Sequence, residues 1–199
     1  MWGGVDVGGA RKGFHVAVLG EDLRARVERA GGVERCVQLV QGASVVAVDA
    51  PSAWADDGEG SRSCERAFAR AGVCGIRFTP DEATAGRRTD RYYEWVEQGL
   101  LLWSALRAAG VRTVEGFPTA SWTAWLGRRS GRSRTAWTRD GVGLLADGIS
   151  GLEAVRDQDQ RDAVAAALTA RQWDRDPASV EDFGGLVVPR AGTLDVALG

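Results

Sequence analysis

Residues 44–50, SVVAVDA, form a continuous apolar run that ends in a single acid and is closed by Pro51. Such a run suits a strand covered on both faces, the habit of central parallel strands. Toward the start of the chain, WGGVDVG (2–8) has a similar build: a short apolar strand carrying one acid, Asp6, and ending in a glycine turn. GFHVAVLG (13–20) reads as the second arm of a hairpin. Residues 22–29 alternate, with Leu23, Ala25 and Val27 on one side and Arg24, Arg26 and Glu28 on the other, as in a half-exposed edge strand. Val33, Cys36, Val37 and Val40 then fall at the spacing of one helix face, the stripe of a helix lying on a sheet.

Beyond Pro51 comes a polar, Gly-rich insertion over about 55–90, with a helical piece around 62–71. Residues 91–109 read as a helix ended by Gly110, and VRTVEGF (111–117) as a strand stopped by Pro118. TASWTAWLG (119–127) and Thr138–Asp147 read as short helices, and 158–172 as an Ala-rich one. From Asp174 on, turn residues and one short apolar run, LVV (186–188), predict a surface tail. The expected organisation is one domain over 1–173, carrying the insertion at 55–90, and a tail over 174–199.

At 199 residues, 44% hydrophobic and 26% charged, the chain fits one folded domain and is neither disordered nor membrane-embedded. The start has no basic segment followed by an apolar one, which predicts no secretory signal; with three Cys this points to reduced thiols and a cytoplasmic location. The formal net charge of −2 excludes nucleic-acid binding by overall charge alone. Residues 140–199 hold 11 Asp or Glu against 5 Arg, whereas RRSGRSRTAWTR (128–139) holds five Arg and no acid. Any anionic partner such as nucleic acid would have to be met locally, at the Arg patch including Arg132, Arg134 and Arg139, a Gly- and Ser-bearing stretch that reads equally as a solvated loop. Lys12, in the hairpin turn, is a further candidate phosphate contact. No glycine-rich phosphate loop ending in Lys-Ser or Lys-Thr is present, which excludes that class of nucleotidase.

Acids inside β-runs are disfavoured and costly when buried unpaired. Asp6, Asp49 and Glu115 lie in three such runs, and Asp159 and Asp162 share one face at the start of the Ala-rich helix. Taken singly, Asp49 reads as a turn residue, and Asp157 or Asp159 as a helix cap, with Asp157-x-x-Gln160 forming a capping box. Taken together, with the first and fourth strands adjacent, Asp6 and Asp49 meet at one sheet end. Ala163, Ala166 and Ala170 continue the face of Asp159 and Asp162, and this small-residue stripe lets the helix press them toward the same place. Carboxylates gathered without Lys partners repel unless a cation sits among them, and oxygen donors suit Mg²⁺ or Mn²⁺.

The blocks GVDVGGARKG, VVAVDAPSAW, GSRSCERAFARAG with RFTP, YYEWVEQG, VEGFPTASWTAWLG, TRDGVGLL and DQRDAVAAALTA resemble, in order over about residues 3–172, a bacterial and archaeal family of predicted nucleases. That family is carried as a domain of unknown function. The resemblance implies a ribonuclease H-like α/β fold: a mixed five-stranded sheet, three antiparallel then two parallel strands, with helices on both faces. It implies Asp6 as the acid contacting both metals, Asp49 as the acid ending the fourth strand, and Glu115 as the acid of a Glu-x-x-Pro block. Asp159 and Asp162 match its Asp-x-x-Asp-Ala, and Arg62, Glu65 and Arg66 an Arg-rich segment. The expected catalytic set is Asp6, Asp49, Glu115 and Asp162, the metal ligands Asp6, Asp49, Asp159 and Asp162, and the substrate contacts Lys12, Arg66, Arg132, Arg134 and Arg139. The expected activity is two-metal hydrolysis of nucleic-acid phosphodiesters, the alternative a catalytically silent domain binding a nucleotide or protein. Whether Glu115 reaches the metals or pairs with an Arg such as Arg66 or Arg139 stays open. Trp122, Trp125 and Trp137 read as core or interface residues first and base-stacking groups second. His15, on the opposite side of its strand from Phe14 and Val16, reads as structural or exposed rather than as a general base.

Overall fold

The computed structural model describes residues 1–194. Three antiparallel strands open the chain: β1 (Trp2–Val7), β2 (Phe14–Leu19) and β3 (Ala25–Ala30). After α1 (Val33–Val40), β4 (Val45–Asp49) returns parallel to β1. Helices α2 (Ser63–Ala71) and α3 (Glu82–Gly86) lie in the insertion, followed by α4 (Glu94–Ala108). Strand β5 (Thr113–Gly116) pairs parallel with β4. Then come α5 (Pro118–Leu126), α6 (Arg134–Leu145) and the 18-residue α7 (Gln158–Arg175). The three antiparallel and two parallel strands fall where the sequence places them, with β3 at the edge.

The sheet has seven strands, not five. Residues expected to form a surface tail supply β6 (Val180–Asp182) and β7 (Leu186–Pro189), giving the order β3-β2-β1-β4-β5-β7-β6. The reversal between them is local chemistry. Asp182 Oδ1 accepts hydrogen bonds from the N–H groups of Gly184 and Gly185, both at positive φ, and Leu186, Val187 and Val188 are buried. Strand β7 runs parallel to β5 and covers what was expected to be an edge.

Strand parity divides the core. Val5, Val7, Val16, Val46 and Val48 face α1 and α4; Trp2, Ala17, Val45, Ala47 and Val114 face α7, together with Trp122 of α5 and Trp137 of α6. Trp122 and Trp137 are thus core residues. Helix α7 lies closest over β1, through its alanine stripe. A Cβ added at Gly4 would stand 2.1 Å from the backbone N of Ala167 and 2.2 Å from the backbone O of Ala163. The strand glycine marks this close approach. Gly4→Ala is therefore expected to push α7 off the sheet and to cost about 1–3 kcal/mol or more, read from urea denaturation; unchanged stability would contradict the packing.

Candidate metal centre

The cross-strand register assembles the centre. Asp6 on β1 stands opposite His15 on β2 and beside Asp49 on β4. All three belong to the parity that faces α7. Asp157 caps that helix: its Oδ1 accepts from Gln160 N–H at 2.8 Å, and the Gln160 side chain returns the bond to Asp157 N–H. With the cap role filled by Asp157, Asp159 in the first turn and Asp162 one turn further on project toward the strand ends.

Asp162 is buried and accepts from Arg134 (2.8 Å), Gln158 (2.9 Å) and Trp122 (3.3 Å). Burial raises its pKa to about 6 against the pull of Arg134 and these donors. Asp6 is held well above the carboxylate range, first by burial and then by the negative charges of Asp49, Asp162 and Asp159. Asp49 is raised likewise, by burial and by Asp162, with Arg134 and a hydrogen bond to Asp6 opposing. Crowded like charges in a low dielectric favour protonation in this way. Asp159 pairs with Lys12 at 2.8 Å, so one acid does have a Lys partner, unlike the sequence expectation.

The centre includes a group that sequence reasoning set aside. His15 is 7% exposed, and its Nδ1 is buried with no hydrogen-bond partner. That nitrogen lies 4.0 Å from Asp6 Oδ2 and 3.9 Å from Asp159 Oδ2. The alternation of residues 14–19 already put His15 on the Ala17 side; only the register shows that Asp6 is its neighbour.

Glu115 is not brought into the cluster. It pairs in register with Val48, whose parity faces α1 and α4, opposite to Asp49. Its carboxylate is occupied by Arg62, at 2.6 and 2.7 Å, and by Ser52 N–H. The pairing with an Arg left open by the sequence is made with Arg62, not Arg66 or Arg139. Arg62 also binds Glu65 at 2.8 and 3.0 Å, making a buried Glu–Arg–Glu triad.

Of the expected substrate contacts, Lys12 and Arg134 lie on the acids themselves. Arg134 does so because Ser133 Oγ caps Ala136 N–H, starting α6 four residues before the expected Thr138. Arg66 pairs with Glu59 and Ser61, and Arg132 with Asp140. Arg139 is exposed and has no ion pair among the described residues. A cavity of about 340 Å³ opens beside Asp49, lined also by Arg62, Arg77, Trp95, Glu115 and Arg134. It shares Gly75, Thr119 and Arg134 with a groove of about 590 Å³ lined by Arg128 and Arg129. The larger cavity between Trp2, Arg171 and Arg175, about 840 Å³, is lined by none of these acids.

Fold and centre together define an α/β protein with a mixed sheet and an acidic cluster at one sheet end. Residues 4–182 match the family described as "Protein of unknown function (DUF429)", and the chain belongs to that family. A solved structure of Thermus thermophilus RuvC is similar over 87% of this chain and 94% of that one, at 20% identity and a TM-score of 0.44. No curated protein matches. Among the described residues, no helix is long and apolar enough to cross a membrane.

Proposed function

We propose that the protein is a metal-dependent phosphodiesterase of ribonuclease H-like type that cleaves nucleic acid. One observation carries the reading: Asp6 and Asp49 meet in register on one sheet face with Asp162, and neither has an ion pair to Lys or Arg among the described residues. The donor chemistry fits a hard divalent cation such as Mg²⁺ or Mn²⁺, held by Asp6, Asp49 and Asp162 with Asp159 beside them. When bound, such ions polarise a phosphate oxygen and supply a hydroxide-like water at neutral pH.

The chain's own residues do the remaining work. Arg134 borders both the Asp49 cavity and the Arg128–Arg129 groove, so it is placed to leave Asp162 and meet a phosphate. The groove then tracks the backbone away from the acids, with phosphate contacts that carry no sequence information. The resemblance of the sequence blocks to a family of predicted nucleases agrees with this reading.

The test is cleavage of labelled DNA and RNA in Mn²⁺ or Mg²⁺, beside Asp6→Asn. Metal-dependent cleavage lost in the variant is expected; cleavage that persists unchanged would sink the reading. A silent binding domain has one observation in its favour: Lys12 and Arg134 already pair with Asp159 and Asp162. Mn²⁺ discriminates, since saturation at about 100 Kd stabilises a binding protein by about 2.7 kcal/mol. A wild-type melting temperature unmoved by Mn²⁺ favours the silent domain.

A further inference from the structure

We propose that His15 is a metal ligand, forming with Asp6 and Asp159 a nitrogen-containing cation site that prefers a transition-metal ion such as Mn²⁺ over Mg²⁺. The inference deepens the phosphodiesterase reading by assigning one of its ions a different donor set.

The starting point is an unexplained atom. A buried polar nitrogen without a partner is costly, and natural structures seldom leave one. His15 Nδ1 is such an atom, and it faces two carboxylate oxygens at 4.0 and 3.9 Å. Neither distance is a hydrogen bond, and a single N–H can serve only one of two acceptors. A cation between them serves both. Metal bonds of about 2.0–2.2 Å allow two donor atoms to stand up to about 4.2 Å apart, so both nitrogen–oxygen separations lie within the span of one ion. The three donor atoms lie within 4.8 Å of one another.

Two further features agree. Lys12 places its ammonium on the same Asp159 oxygen that faces His15, so that point already draws positive charge. The Lys12 side chain is 65% exposed, and an ion pair so exposed contributes little, so a divalent ion displaces it. The register also places His15 and Asp49 on opposite sides of Asp6, since β1 lies between β2 and β4. Asp6 thus divides an all-oxygen position toward Asp49 and Asp162 from a mixed one toward His15 and Asp159. Imidazole suits Zn²⁺ and other first-row transition ions; Mn²⁺ is chiefly an oxygen-ligand ion but accepts a nitrogen donor more readily than Mg²⁺, which keeps to oxygen ligands and water.

His15 is the only histidine in the chain, so histidine labelled with ¹⁵N reports on this residue alone. Pulsed electron paramagnetic resonance of Mn²⁺ bound to the wild type is expected to show a directly coupled ¹⁴N that changes to the ¹⁵N pattern on labelling. Mn²⁺ bound without nitrogen coupling would overturn the inference and leave the carboxylate reading standing. No Mn²⁺ binding at all would overturn both. In calorimetry, His15→Gln is expected to weaken Mn²⁺ at least about tenfold, since even residues one step removed from a metal cost about 10–100-fold. Mg²⁺ should change by less than about twofold. Equal Mn²⁺ affinity in both proteins would also overturn it; if the variant misfolds, the wild-type spectrum decides.

Discussion

Arg62→Met is expected to lower stability by about 3–5 kcal/mol, a large part of the roughly 5–15 kcal/mol that holds a domain together. Arg62, Glu65 and Glu115 are 8%, 1% and 5% exposed. Around the guanidinium every carboxylate oxygen is engaged. Glu65 Oε2 accepts from the N–H groups of Arg62 and Thr79, and Glu115 Oε2 from Ser52 N–H as well as from Arg62. The triad thereby ties α2 of the insertion to β5 and to the loop leaving β4, next to Asp49. Removing the cation leaves two buried carboxylates facing each other. Two desolvated carboxylates left without their cation are the source of the loss, which urea denaturation reads. Arg66→Met is the comparison, because its partner Glu59 is exposed and such a pair is worth about 0–1 kcal/mol. An Arg62 variant no less stable than the Arg66 one would mean the triad contributes nothing net.

What the sequence made legible follows from periodicity. The apolar runs at 2–8 and 44–50, each carrying one acid, and the spacing of Asp159 and Asp162 were enough to bring four aspartates to one sheet end once the first and fourth strands were taken as neighbours. Pairing register is not encoded in one strand, and there the reading stopped. Glu115 looks equivalent to Asp49, since each is an acid near the end of an apolar run before a proline. A shift of one place relative to β4 turns it to the other face. His15 was visible as a residue on the opposite side of its strand from Phe14 and Val16, but its neighbours Asp6 and Asp159 come from other elements. The strands β6 and β7 are three and four residues long, too short to show a period, although Asp182-Phe183-Gly184-Gly185 is a turn signal between them. The early start of α6 rested on one cap, Ser133, inside a stretch whose Gly and Ser residues read as a loop.

Without divalent metal, the wild type is expected to lose stability as pH rises from about 4 to 6, by about 3 kcal/mol from Asp162 alone. Its folded pKa of about 6 lies above the ordinary 3.8, so between those values the folded state holds the proton more tightly. Stability is then fullest below the lower value and is lost as pH climbs through the upper one. Asp6 and Asp49 are raised as well and act in the same direction. Asp81 and Asp90 are lowered by local hydrogen bonds, act oppositely, and weaken the protein only at more acid pH. Asp49→Asn separates strain from function. It removes a charge repelled by Asp6 and Asp162, so at about pH 8 the metal-free variant should melt above the wild type, and its decline between about pH 4 and 6 should be shallower. Saturating Mn²⁺ should reverse the order, because the wild type gains binding energy and the variant has lost a ligand. This crossing of melting temperatures is the signature of acids kept together for a cation. A variant less stable than the wild type both with and without Mn²⁺ would instead make Asp49 a structural acid, and the case for a metal centre would fail with it.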